Sequence, residues 1–215
     1  MTSTQFLDHT IERHPALAPL RETIVTAVET ICHCHRNGGK ILLCGNGGSA
    51  ADAEHIVGEL VKEFSIRRPI PQADARRLEA FNPELAAKLQ RGLTAISLVS
   101  QTSVGTAIAN DVDGAMVFAQ QVYAYGKPGD IVWGISTSGN SRNVVQALQV
   151  AKAFGLHTIG MDGQNAGTMD EYCDVLFKVP ETQTYKIQEL HLPIYHAICI
   201  LVEYELFRTP EEPDA

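Results

Sequence analysis

The fold of this chain is decided by residues 40–49, which read Lys40-Ile41-Leu42-Leu43-Cys44-Gly45-Asn46-Gly47-Gly48-Ser49. The run from Lys40 to Cys44 is short and apolar, as in a buried β-strand, and the glycines after it permit a tight turn. Ser49 opens an Ala-rich stretch with helical composition. A strand, a turn and a helix N-terminus in this order present backbone N–H groups and the positive end of a helix dipole. The segment therefore predicts an anion-binding loop.

A second loop of this kind follows the apolar run 130–135. It is rich in hydroxyls and reads Ser136-Thr137-Ser138-Gly139-Asn140-Ser141. Hydroxyls and backbone amides can hold phosphate oxygens without a lysine. Neither loop is a Walker motif or a full dinucleotide fingerprint, and either one alone is also explained by a plain turn and a helix cap. Two such loops in corresponding positions predict a phosphorylated small-molecule ligand.

Strands and helices alternate along the rest of the chain. The apolar patterns predict strands at 40–44, 94–99, 131–135, 157–161 and 174–178, and helices at 49–64, 103–109, 115–125, 142–154 and about 184–207. This order predicts an α/β fold with a doubly wound, mainly parallel sheet flanked by helices, and ligands at the carboxyl ends of the strands. The domain that it forms covers residues 40–208.

Residues 1–39 precede the first strand and contain a helical stripe from Leu17 to Arg36. An amphipathic helix with no strand before it often packs on a neighbouring subunit, so we expect an N-terminal oligomerisation helix. Residues 65–93 are too long for a plain loop and hold helical patterns around 73–81 and 83–90. They form either a surface insertion or a lid or subunit contact. Residues 209–215 predict a disordered tail.

Composition narrows the class of protein. The chain has 215 residues, 45% of them hydrophobic, and a net charge of −8, which argues against a nucleic-acid partner. No secretory signal and no uninterrupted apolar stretch of roughly 20 residues is present, so no membrane partner and a cytoplasmic location are expected. The number of cysteines, five, is odd, and we expect them to be reduced, buried thiols. The run Cys32-His33-Cys34-His35 lies in a helical pattern and points around the cylinder, so it does not predict a metal site.

Two helices carry residues that could do chemistry. His55 and Glu59 are four positions apart and share one helix face, where they could bind a metal, move protons or form a plain surface hydrogen bond. On the last helix, Gln188, Glu189, His191 and His196 interrupt an apolar stretch. His196 alone would also be explained as a satisfied core histidine. Gln188 and His196 are separated by a helical rise of about 12 Å, so they could share one ion only by reaching toward each other.

Four segments together resemble the sugar isomerase (SIS) domain family in its phosphoheptose isomerase branch. They are residues 44–55, 107–111, 134–141 and 187–191, which occur in family order. The resemblance implies a homotetramer with active sites between subunits and one zinc ion per subunit. It implies conversion of sedoheptulose 7-phosphate to D-glycero-D-manno-heptose 7-phosphate through an enediolate.

By motif position, the resemblance assigns three sets of site residues. The metal ligands are His55, Glu59, Gln188 and His196. The catalytic base and acid are Glu59 and His196. The substrate contacts are Asn46, Gly47, Gly48, Ser49, Asn110, Asp111, Ser136, Thr137, Ser138, Ser141 and Gln188.

Three departures from the family pattern bear on the identity of the sugar. Gln101 and Tyr185 stand where family members commonly or sometimes carry aspartate, and the 65–93 insertion exceeds the usual loop. Isomerisation of another ketose phosphate is therefore an alternative. A non-enzymatic tetrameric relative that binds the replication initiator DnaA and a sugar-phosphate sensor are others. Glu59 and His196 favour the enzyme, since the regulator lacks a complete acid/base pair.

Overall fold

Five parallel strands form the central sheet. The structure is a computed structural model and describes residues 2–208. The strands are β1 (Ile41–Gly45), β2 (Ala95–Ser97), β3 (Ile131–Ile135), β4 (His157–Asp162) and β5 (Val175–Lys178), in the spatial order β2-β1-β3-β4-β5. All neighbouring strands are parallel, which confirms the predicted doubly wound α/β fold.

Nine α-helices surround this sheet in the described part of the chain. They are α1 (Ser3–Arg13), α2 (Arg21–Arg36), α3 (Gly48–Val61), α4 (Gln72–Glu79), α5 (Pro83–Lys88), α6 (Thr102–Ile108), α7 (Val117–Tyr125), α8 (Arg142–Ala153) and α9 (Thr184–Phe207). Short 3₁₀ turns lie at 15–20, 114–116 and 168–172, and a π-helical turn follows α6 at 109–113.

The N-terminal segment holds one more helix than the sequence pattern predicted. A capping box starts α1: the Thr2 side chain accepts from the Gln5 N–H, and the Gln5 side chain accepts from the Thr2 N–H. Residues 15–20, with Pro15 at their start, form a 3₁₀ turn. The α-helix predicted from residue 17 therefore begins at Arg21.

Both faces of the sheet are covered, so its strands are apolar throughout. Alternate residues of the strands point to opposite faces. Leu43 and Trp133 belong to a core cluster with α1, α2, α3 and α9. Leu42 and Val132 belong to the cluster with α7 and α8 on the other face. All four side chains are fully buried, which fixes the strand register.

The long helix α9 runs through the first of these clusters and packs on α1, α2 and α3. Among residues 2–208 it is the only helix long and apolar enough to cross a membrane, but 56% of its apolar window is buried inside the protein. It also carries the fully buried Glu203. Its apolar residues are therefore explained by packing in the protein core.

The insertion lies on the surface, and its helices α4 and α5 overlap the two predicted helical pieces, with α4 starting one residue earlier than predicted. No residue from 69 to 92 is buried. The segment is held at its start by Arg68, whose side chain is fully buried. The predicted disorder of 209–215 lies outside the described residues.

The order of the strands creates a crevice between β1 and β3. After β1 the chain crosses to β2 on one side, and it later returns to β3 on the other side. Connections that leave two adjacent strands in opposite directions open a crevice at the carboxyl ends of those strands, where ligands of open α/β sheets bind. The two predicted anion loops follow β1 and β3.

Candidate active site

The loop after β1 turns tightly into α3. Gly47 has a φ of +57°, a left-handed conformation that glycine adopts without strain. Gly48 is the first residue of α3, and a Cβ at this position would lie 2.4 Å from Nε2 of Gln188. The glycines therefore let α9 approach the N-terminal end of α3. The positive end of the α3 dipole there favours an anion.

The loop after β3 is organised by its own hydroxyls. Ser136 Oγ donates to Ser141 Oγ at 2.9 Å and accepts from the Ser141 N–H at 3.3 Å. Ser138 Oγ accepts from the Asn140 N–H at 3.2 Å. Gly139 makes the turn with a φ of +65°. The result is a preformed ring of donors at the N-terminal end of α8.

The two loops are tied together by a pair of amides. Asn46 Nδ2 donates to Asn143 Oδ1, and Asn143 Nδ2 donates to Asn46 Oδ1, both at 2.9 Å. The sequence interpretation assigned Asn46 to substrate and gave Asn143 no role beyond its place in the predicted helix 142–154. Because these residues are 97 positions apart, only the tertiary structure reveals their pairing.

Asp162, at the carboxyl end of β4, lies beneath the second loop. A Cβ at Gly139 would lie 2.9 Å from its Oδ2. The Asp162 carboxyl is paired with Lys178 at 2.9 Å, and Lys178 is also paired with Asp170. Burial outweighs the attraction of Lys178 and raises the pKa of Asp162 to about 7.

Beside this loop is a cavity of about 350 Å³. Thr137 and Ser138 line it from one side, while the turn at 163–166 and residues 181, 182 and 184 line it from the other. Its volume is within the range of small-molecule sites.

Three side chains meet on α3 and α9 near the first loop. His55 Nε2 lies 3.2 Å from Glu59 Oε1 and 3.4 Å from His196 Nε2. The second carboxylate oxygen of Glu59 accepts from Lys62 Nζ at 3.1 Å. The structure thus brings together a carboxylate and two imidazoles. The two histidines are 141 positions apart in the sequence.

A phenol behind His55 sets the orientation of its ring. Tyr195 O–H donates to Asp52 Oδ1 at 3.1 Å, and its oxygen lies 3.1 Å from His55 Nδ1. A phenol has one proton to donate and a carboxylate only accepts, so His55 Nδ1–H donates to Tyr195. In the neutral tautomer that this contact favours, His55 Nε2 is the acceptor atom that faces Glu59. Burial raises the pKa of Asp52, and burial together with Asp52 raises that of Tyr195.

The sequence interpretation missed Tyr195. One local signal was available, since Tyr195 directly precedes His196 on a helix that is otherwise apolar. A buried tyrosine usually requires a partner for its hydroxyl. The partner could not be inferred because it comes from α3.

His196 lies in a partly apolar environment. Its ring packs on Phe64 with a centroid separation of 5.5 Å. Burial, and then the charge of His55, lower the pKa of His196. The neutral imidazole is therefore favoured, which can accept or donate a proton.

The donor set of this cluster fits a zinc ion. Tetrahedral zinc with ligand distances of 2.0–2.2 Å places its donor atoms about 3.3 Å apart, and the two separations from His55 Nε2 are 3.2 and 3.4 Å. In its neutral tautomer His55 would face the Glu59 carboxylate with an unprotonated Nε2, and a cation between the two atoms would satisfy both. Within residues 2–208, however, no three His, Cys, Asp or Glu side chains already surround a common point. The His55–Glu59 and His55–His196 separations each suit two ligands of one zinc ion.

The remaining predicted residues lie in two other places. The amide of Gln188 lies at Gly48, and no hydrogen bond joins it to His55, Glu59 or His196 in the described chain. Asn110 and Asp111 are on the exposed π-helical turn, where Asn110 Nδ2 donates to Asp111 Oδ1 at 2.8 Å. Ser49 is buried at the start of α3.

The Cys32–His35 run does not form a metal site in the described residues. Cys32 and Cys34 are buried, and burial raises the pKa of each thiol to about 11. All five cysteines are free. They behave as the sequence predicted, as reduced thiols, four of them buried in the core.

Comparison with known proteins gives the family. The SIS domain family matches residues 5–91 and 83–163. A phosphoheptose isomerase of Synechocystis sp. is 44% identical over 184 residues, which cover 86% of this chain and 84% of the relative. The chain belongs to the phosphoheptose isomerase family. Phosphoheptose isomerase 2 of Campylobacter jejuni is 42% identical over 190 residues, with 86% and 84% coverage.

Solved structures of the phosphoheptose isomerase family share the fold. The enzyme GmhA from Neisseria gonorrhoeae superposes with a TM-score of 0.73 at 36% identity, over 91% of this chain and 94% of that chain. The phosphoheptose isomerase from Francisella tularensis gives 0.74 at 28% identity, over 94% and 98%.

The two residues that depart from the phosphoheptose isomerase pattern make no hydrogen bond to the His55 cluster in the described part of the chain. Gln101 precedes the first residue of α6. Tyr185 lies in the first turn of α9 with 59% of its surface exposed. Among residues 2–208, neither side chain is hydrogen-bonded to a predicted site residue.

Proposed function

We propose that this protein is an aldose–ketose isomerase that converts sedoheptulose 7-phosphate to D-glycero-D-manno-heptose 7-phosphate. The observation that carries the proposal is the meeting of Glu59, His55 and His196 on α3 and α9, with α3 starting at the first of the two anion-binding loops. The names of the relatives from Synechocystis and Campylobacter support it.

Glu59 is the proposed base. Moving the carbonyl from C2 to C1 requires removal of a proton from C1 and its return to C2. The Glu59 carboxylate has one oxygen toward His55 and the other toward Lys62. A carboxylate oxygen that binds a cation is a weaker base, so Glu59 can take the C1 proton only with an oxygen that is released from Lys62 or from a bound metal.

His196 is the proposed acid. In the enediolate the proton of the C1 hydroxyl must reach the C2 oxygen, and a neutral imidazole can take and return it. Phe64 and His55 hold the ring of His196 by edge and face contacts. A bound zinc, one per subunit and held by His55, Glu59, His196 and the predicted ligand Gln188, would supply positive charge to the carbonyl and enediolate oxygens.

The phosphate is assigned to the two loops. The N-terminal ends of α3 and α8 supply N–H groups, and Ser136, Thr137, Ser138 and Ser141 supply hydroxyls. The bound phosphate fixes the position of the substrate, so that C1 and C2 reach the Glu59 cluster. Asn110 and Asp111 are assigned to the sugar hydroxyls.

The assembly and the location belong to the same proposal. We infer a cytoplasmic homotetramer in which residues 1–39 serve as the oligomerisation segment and a neighbouring subunit completes each site. The absence of buried residues from 69 to 92 supports a surface role for the insertion. Light scattering of the purified protein measures the subunit number.

The test is turnover of sedoheptulose 7-phosphate, followed by NMR of the anomeric protons with and without added zinc. We expect conversion by the wild type and its loss in His196→Ala. His157→Ala is the matched control, because His157 is exposed at the start of β4. Absence of conversion by the folded, zinc-loaded wild type contradicts the proposal. Another ketose phosphate is then tested first and DnaA binding second.

A further inference from the structure

A buried ion pair joins the insertion to α9 directly behind the catalytic cluster. Arg68 Nε donates to Glu203 Oε1 at 2.6 Å, and both side chains are completely inaccessible to solvent. The Arg68 guanidinium also lies 4.7 Å from the ring centroid of Phe207. Neither charged group has an unpaired polar atom.

Arg68 caps the end of α3. Its Nη1 donates to the carbonyl of Leu60 at 2.9 Å, and its Nη2 donates to the carbonyl of Glu59 at 3.3 Å. The last carbonyls of a helix have no partner within the helix, and a positive charge there interacts favourably with the dipole. The backbone of the proposed base is therefore held by the guanidinium.

Glu203 holds the turn that follows α3. Its carboxylate accepts from the N–H groups of Phe64, Ser65 and Ile66 at 2.9, 2.7 and 3.1 Å. The Phe64 ring packs on His196. Glu203 lies seven residues after His196 on α9, about two turns along the same face. One carboxylate thus links the helix that carries the acid to the turn behind the base.

Stability alone does not account for a pair in this place. The cost of desolvating a buried ion pair consumes most of its attraction, and apolar residues of similar volume are often as stabilising. The four hydrogen bonds to Glu203 and the two from Arg68 to backbone carbonyls instead fix the orientation of α3 relative to α9. These are the two helices whose side chains must meet.

We propose that Arg68 and Glu203 are positioning residues that hold Glu59 and His196 at the separation required for proton transfer. The inference rests on the proposed isomerase function for its kinetic consequence. Its geometric consequence, the placement of the His196 ring, can be measured without turnover.

The experiment compares Glu203→Gln with wild type. Steady-state kinetics with sedoheptulose 7-phosphate should show kcat reduced at least about tenfold and KM changed by less than about twofold, because misplaced groups impair the chemical step more than phosphate binding. The imidazole signals of His196, assigned by their loss in His196→Ala, should shift in the NMR spectrum.

Asp130→Asn is the matched control. Asp130 is also a buried carboxylate that pairs with a lysine, Lys40, and accepts two backbone N–H groups, but it lies at the amino ends of β1 and β3. Its substitution should lower the unfolding temperature without changing kcat or the His196 signals. Arg68→Lys, which keeps a positive charge beside Glu203 but loses the paired bonds to the Leu60 and Glu59 carbonyls, should lower kcat and shift the same signals, and it serves if Glu203→Gln does not fold.

The proposal is overturned if the folded variants keep kcat within about twofold and leave the His196 signals at their wild-type positions. If wild type itself does not isomerise the sugar, the proposed function fails. The His196 signals then decide the positioning role alone: a shift in Glu203→Gln or Arg68→Lys upholds it, and unchanged signals reject it.

Discussion

Asn46 and Asn143 exchange two hydrogen bonds of 2.9 Å between their side-chain amides. Asn46 belongs to the loop after β1, and Asn143 lies in the first turn of α8, just after the loop that follows β3. The pair therefore sets the separation of the two anion-binding loops before a ligand arrives. An amide pair can do this without adding charge to the site.

Asn143→Ala should loosen this separation and weaken phosphate binding. Loss of about 1 kcal/mol of hydrogen bonding corresponds to a roughly fivefold increase in Kd. Titration calorimetry with inorganic phosphate measures it, and kcat should change little. Asn82→Ala removes a comparable bond, the cap of α5, and should leave Kd unchanged. Equal affinity in wild type and Asn143→Ala would contradict the role of the pair.

Glu59→Gln should remove the base and keep the phosphate site. General base catalysis contributes a factor of about 10² to 10⁴, so turnover should fall by that amount while phosphate still binds. Solvent deuterium incorporation at C1, followed by proton NMR, reports the step directly. Glu54→Gln is the control on the same helix, since Glu54 accepts from Ser100. Retained exchange in Glu59→Gln would reject its assignment.

Tyr195→Phe should weaken zinc binding with little effect on packing. The ring is kept, but His55 Nδ1 loses the oxygen that fixes its tautomer, and losses of this kind cost about 10- to 100-fold in metal affinity. Competition with a chromophoric chelator measures the zinc Kd. Tyr185→Phe, on the exposed side of the same helix, is the comparison. An unaltered zinc Kd would show that Tyr195 does not orient His55.

Asp162 should make the protein less stable as pH rises. Its pKa is about 7 in the folded state against an ordinary value of 3.8, so the folded state binds the proton more tightly. The contribution to the unfolding free energy is present at low pH and is lost as pH rises from about 4 to about 7. Asp162→Asn cannot titrate and should flatten the dependence in this window.

Urea unfolding at intervals from pH 4 to pH 8 checks the Asp162 prediction, with about 1.4 kcal/mol per pKa unit as the upper scale. Asp174→Asn is the opposite control. Partial burial raises the pKa of Asp174 less than hydrogen bonds from Lys152 and Thr158 lower it, so its stabilising contribution is lost as pH falls. Parallel curves for wild type and Asp162→Asn would contradict the prediction.

The order of the strands and helices could be predicted because each of them has its own local sequence pattern. The five strands are short apolar runs that both core clusters cover, and the turns after β1 and β3 carry their own glycines. The helix α1 was not predicted, although the Thr2 and Gln5 capping box is local. Strand β2 pairs only over 95–97, against a predicted 94–99, because strand ends depend on the neighbouring strand.

The candidate site was predictable in its residue types and not in its partners. His55 and Glu59 share a face at helical spacing, so their contact follows from the sequence. The contacts of His55 with Tyr195 and His196 depend on how α3 packs against α9. The same is true of Arg68 and Glu203, which are 135 positions apart. Such contacts are determined by how the helices pack in the folded protein, and local sequence patterns do not specify that packing.

The surface insertion has a practical consequence. Since no residue from 69 to 92 is buried and the anchor at Arg68 lies before this stretch, the chain between α4 and α5 can be opened without exposing the core. New termini, an affinity tag or a fluorophore placed near Phe81, which is 88% exposed, should leave the subunit folded. The insertion thus offers a point of attachment from which the protein can be immobilised or observed.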